Sequence, residues 1–206
     1  GVPISFWRHF ADNEFTDAAR HPEVLETNLA GHRAYLKEVP VDLVKTMLDG
    51  YFPYPFRGVT DPRQLAALRK LRPLASDDPW ISGQVRLAQE QRKIAGDKPL
   101  FITVFSPLIL LKWALITHYQ EPLPLADRRF FDLYQQDPAL IKRVLEIIAT
   151  DQAKVVAALK KETDIDGIYY STQSIQDPRA DNHDFFAAVM EPIDLQVQEA
   201  INRAFA

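Results

Sequence analysis

The amino-acid sequence predicts an α/β protein built on a parallel sheet. Two features carry that expectation. Short, nearly continuous apolar runs read as strands, and the long stretches between them have helical spacing with clear start and stop residues. Near-continuous apolar runs suit strands covered on both faces. Strands that alternate with helices, each connection long enough for a crossover, mean βαβ units.

The strand-like runs are Pro3–Trp7, Val41–Met47, Pro99–Phe105 and Asp166–Ser171. The third is the clearest, being almost entirely β-branched or aromatic and bounded by Pro99 and Ser106-Pro107. A helix is expected over Glu23–Lys37, and others begin at Asp61-Pro62, Asp78-Pro79 and Asp137-Pro138. In each of these pairs an aspartate can cap the helix and a proline can take its first position. The helix from Pro79 ends near Ala95, where Gly96 supplies a stop. Over Pro138–Lys161 the residues Ile141, Val144, Leu145, Ile148, Val155 and Leu159 make one apolar stripe. A last helix runs from about Asn182 to the end, bent at Pro192. Tyr51–Arg57 is a long irregular loop rich in proline and aromatic residues.

Composition narrows the function classes. The 206 residues are 47% apolar and 25% charged, which is enough apolar material for a core, and one domain is the default at this length. The net charge of −4 gives no sign of a nucleic-acid partner, because such domains carry a basic excess. The absence of cysteine excludes disulfides, thiolate nucleophiles and cysteine-ligated metal within these residues, and fits a cytoplasmic protein. The longest uncharged apolar run, Pro99–Leu111, is shorter than the about 20 residues a membrane span needs. No histidine has a partner at metal spacing, so no metal site is expected.

Four segments, in order, resemble motifs of the uroporphyrinogen decarboxylase family. They are Pro3-Ile-Ser-Phe-Trp-Arg-His-Phe, Asp42-Leu-Val-Lys-Thr-Met-Leu-Asp-Gly-Tyr, Val104-Phe-Ser-Pro-Leu and Asp166-Gly-Ile-Tyr-Tyr-Ser-Thr-Gln. The resemblance implies a partial (β/α)8 TIM barrel of about four βα units, with the C-terminal half of the barrel missing or supplied by a second copy in a homo-oligomer. It further implies a cofactor-free lyase that removes carboxylate from the pyrrole acetates of a tetrapyrrole. A corrinoid-dependent methyltransferase relative, or an inactive barrel half that only dimerises, are the alternatives.

By the same resemblance Arg8 and Asp49 are the catalytic pair, the arginine fork holding an acetate and the aspartate stabilising a cationic intermediate. Ser171 and Trp113 fall where the family contacts substrate. Tyr51 belongs to an aromatic cluster with Phe52, Tyr54 and Phe56 that is either a lid over a flat macrocycle or a packing patch. Two departures stand out: Asp12 takes the place of the motif's second arginine, and Trp113 takes that of a tyrosine. Plainer readings compete at each position. Arg8 can be a structural ion pair, Asp49 a turn residue, Ser171 a helix cap and Trp113 core. His9, next to Arg8, is expected on the opposite face of the strand.

Overall fold

The computed structural model describes residues 1–172, 175, 177–180 and 183–206. In chain order the elements are α1 (Glu23–Glu38), β1 (Val44–Thr46), α2 (Leu65–Leu68), α3 (Pro79–Ala95), β2 (Leu100–Phe105), α4 (Pro107–Trp113), α5 (Leu123–Gln136), α6 (Pro138–Glu162), β3 (Gly167–Ser171) and α7 (His183–Phe185). A π-helical turn over Phe186–Met190 leads into α8 (Glu191–Phe205). The expected helix start at Asn182 and Gln173 of the fourth motif lie outside the described residues.

The strands pair in sequence order and all run parallel, with Val44 opposite Leu100 and Phe101 opposite Gly167. The α/β class and the parallel pairing are therefore present, but the four-unit barrel sheet is not. Among the described residues the sheet has three strands. Pro3–Trp7 forms no ladder. Its hydrogen bonds to the strand region are an exchange at one point, where Ile4 N donates to Asp42 Oδ2 and Asp42 N donates to Ile4 O, both at 2.8 Å. The segment has apolar side chains but leaves Ile4, Phe6 and Trp7 half exposed, so it lies beside the domain without joining the sheet. The second strand is also shorter than its apolar run.

Helix starts follow their local chemistry. Asp78 accepts a hydrogen bond from Trp80 N at 2.9 Å and Asp137 from Leu140 N at 3.0 Å, so both cap as expected. Asp61 does not start a helix at Pro62; it accepts instead from the backbone and guanidinium of Arg63 in a local turn. The six stripe residues of α6 are all buried, and α6 packs against α3, α4 and α8. Pro192, where a bend was expected, stands in the first turn of α8, directly after the π-helical turn. No helix among the described residues is long and apolar enough to cross a membrane.

The end of β1 is held by side chains where the ladder is short. Thr46 Oγ1 donates to Gln91 Oε1 (2.9 Å), while Asn28 Nδ2 and Gln91 Nε2 both donate to Met47 O at 3.1 Å. Thr103 Oγ1 donates to Thr46 O at 2.7 Å. Three residues of strand are thus fixed in position by buried polar groups from α1, α3 and β2. The chain then turns sharply at Gly50, whose φ of 101° suits glycine. A Cβ there would meet Val24 at 2.9 Å and Ala18 at 3.0 Å. This turn fixes Asp49 at the carboxyl end of the sheet.

Candidate functional site

An open cleft of about 970 Å³ lies over the carboxyl ends of the strands and the sheet face that the helices leave uncovered. This is the end of a parallel sheet where ligands bind in α/β proteins generally. The volume is at the upper end of the range for small-molecule pockets. Aromatic rings build the walls. Phe52 meets Phe105 edge-on at 4.7 Å between centroids, and Phe105 meets Trp113 at 5.0 Å. Phe15 stacks on the His118 ring at 3.3 Å.

Polar groups sit at defined points among these rings. Asp49 is fully buried and accepts three hydrogen bonds: from His9 Nδ1 (2.7 Å), Phe10 N (3.0 Å) and Ala11 N (3.3 Å). Burial opposes its charge, but the His9 ring and the two amides outweigh burial and hold the carboxyl below its ordinary range. His9 lines the cleft. With Nδ1 bonded to Asp49, Nε2 is the ring nitrogen left for a ligand. A histidine oriented in this way by a buried carboxylate is a proton-transfer device.

Lys45 projects from the middle of β1 into the cleft. Its Nζ lies 3.8 Å from the ring centroids of both Trp7 and Tyr169, so the ammonium is sandwiched between two π faces. Burial pushes it down to about 8. Lys112, the other lysine of the cleft, is ion-paired with Asp127, and both side chains are buried. His118 donates from Nε2 to Trp113 O at 2.9 Å, and burial lowers its pKa. At the rim Tyr119, held at φ 62°, donates its hydroxyl to Glu14 and joins the N-terminal segment to the loop after α4.

The residues expected from sequence fall into three groups. Ser171 and Trp113 line the cleft. Asp49 stands behind His9 and reaches the cleft through it. Arg8 and Tyr51 are elsewhere. Arg8 points outward, with Nε donating to His9 O at 3.4 Å and its guanidinium 5.5 Å from the Phe10 ring. Tyr51 is buried against Gly83 of α3, where any side chain larger than hydrogen would collide with its phenol. Arg8 therefore does not join Asp49 and Ser171 at the cleft, because Pro3–Trp7 is not a strand and delivers His9 where Arg8 was expected. The two neighbours do diverge, but with the faces exchanged.

Sequence reasoning missed His9, Lys45, the Lys112–Asp127 pair and His118. Lys45 left a readable sign: a charged residue at the centre of the apolar run Val41–Met47 has to be buried or functional. The ring partners of Lys45, by contrast, lie far away along the chain. Among the described residues no three His, Asp or Glu side chains gather as a metal site.

Fold and cleft together define a parallel α/β protein with an aromatic, ligand-sized cleft over the carboxyl ends of its strands. A scan against protein-family models and a search of curated proteins find no match to this chain.

Proposed function

We propose that this chain is a lyase of the uroporphyrinogen-decarboxylase type, working on a flat ring compound that carries carboxylates. The observation that carries the reading is the His9–Asp49 pair at the floor of an aromatic cleft. Decarboxylation of a pyrrole acetate begins with protonation of a ring carbon. The C–C bond to the carboxylate then breaks, carbon dioxide leaves, and its electron pair quenches the ring cation. A proton added at the exocyclic carbon and the loss of the ring proton leave a methyl group.

In this scheme His9 Nε2 carries the proton and Asp49 sustains the imidazolium that alternates with the neutral ring. The rings of Phe52, Phe105 and Trp113 offer stacking surface to a flat ligand. Ser171 contributes a hydroxyl at the end of β3. Arg8, exposed and facing away from the cleft, has no part in the chemistry.

The test is direct. Purified protein is incubated anaerobically with uroporphyrinogen, and the oxidised products are separated by number of carboxyl groups. Products with fewer than eight carboxylates are expected. Full recovery of the eight-carboxylate starting material would overturn the proposal.

A further inference from the structure

Lys45 poses a problem of charge balance. The residue is 8% exposed, and among the described residues it has neither an acidic partner nor a hydrogen-bond acceptor. The other lysine of the cleft, Lys112, has Asp127. A buried cation without a counter-ion is costly, and two aromatic faces offset only part of that cost. Apart from Tyr169 of the clamp, the charged and titratable groups around the cleft are His9, Glu14, Lys112, His118, Tyr119, Glu121 and Asp127. Glu121 is engaged by Arg129, Glu14 by Tyr119, His118 by the Trp113 carbonyl and His9 by Asp49. None of them neutralises Lys45.

We infer that Lys45 is the cation that receives a carboxylate of the ligand, with Trp7 and Tyr169 clamping the ammonium from either side. The inference rests on the cleft being a ligand site, not on the lyase chemistry proposed for it. A singly charged carboxylate fits better than a phosphate. Among the described residues lining the cleft there is one cation without an acidic partner, and the carboxylates of Glu14 and Glu121 at the rim repel a dianion. Lys45 lines the open cleft, so a ligand carboxylate there can give the ammonium a charge-assisted hydrogen bond.

The closing experiment uses 1-pyrenebutyrate, a flat aromatic carboxylate, and its uncharged methyl ester, with pyrene fluorescence reporting binding. The native protein is expected to bind the acid about tenfold more tightly than the ester, a ratio equivalent to ~1.4 kcal/mol. Lys45→Met should abolish the preference and Lys45→Arg should keep it. Methionine is well tolerated at a buried site that has lost a charge, and circular dichroism verifies the fold. In the native protein the preference should fall as pH rises through about 8, where the ammonium loses its proton, whereas in Lys45→Arg it should persist. Equal affinity for acid and ester, a preference that survives in Lys45→Met, or no binding of the acid would each overturn the inference. Carboxylate preference without any decarboxylation would overturn the lyase reading and leave the anchor in place.

Discussion

Two buried aspartates, Asp49 and Asp151, are alike in burial and opposite in use. Both are fully excluded from solvent. Asp151 on α6 accepts from Tyr54 Oη at 2.7 Å and from Leu74 N at 3.0 and 3.1 Å, and pairs with Lys154 at 2.8 Å. Its donors are a phenol whose pKa burial raises, an amide and an ammonium. None of the three lines the cleft, so the carboxylate serves as a knot tying the aromatic loop and the segment after α2 to α6. Asp49 is bound by two amides and by one imidazole whose ring lines the cleft. A buried carboxylate is architecture when every donor keeps its proton. It becomes chemistry when one donor can pass its proton to the cleft.

The comparison can be broken at either end. The largest effect is expected from Asp151→Ala, which leaves Tyr54 Oη and Leu74 N without their acceptor and takes from Lys154 its carboxylate partner. It should remove roughly 3–5 kcal/mol of stability in urea unfolding while leaving the cleft's preference for carboxylate intact. His9→Gln should do the reverse. Decarboxylation should fall about a hundredfold, with an unfolding midpoint close to that of the native protein. If His9→Gln unfolded the protein as Asp151→Ala does, the pair at Asp49 would be architecture too. Tyr54→Phe should cost about 1 kcal/mol in the same unfolding assay with no change in turnover, since Asp151 keeps its other donors.

The smallest effect sharpens the contrast by pH. The Asp49 carboxyl is held below its unfolded value of 3.8. Its stabilising contribution is therefore complete above that value and disappears as pH falls through the lower, folded one. Urea unfolding at pH 5 and pH 3 should show a smaller acid loss in Asp49→Asn than in the native protein.

What the sequence revealed depended on how local each cause was. The stripe on α6 was legible because it repeats over many turns, and Asp78 and Asp137 because a capping side chain acts within three residues. Helix α5 was not anticipated: it follows Pro122, which has no side chain to cap with, and none of the Asp-Pro signals marks its start. Pro3–Trp7 has strand composition, but strand formation needs a neighbour's ladder, and no local feature of the sequence signals that only Ile4 finds a hydrogen-bonding partner beside β1. The resemblance brought attention to Asp49 and the end of β1. The identity of the Asp49 partner turned on which of two adjacent side chains faces inward, a phase that one extended residue more or less reverses. Lys45 needed Trp7 and Tyr169, residues on either side of it in sequence and distant from it, so its sandwich is a product of tertiary folding alone.

The segment bearing Trp7 and His9 is fastened by the exchange between Ile4 and Asp42, by the contact of Trp7 with Lys45 and by the bonds of His9, Phe10 and Ala11 to Asp49, and none of residues 1–10 belongs to the buried apolar cluster. The core cluster is therefore complete without the strap. Opening the strap costs less than unfolding the body. The amides of Phe10 and Ala11 should therefore exchange with solvent deuterium well ahead of those in β2, and a filled cleft should slow them.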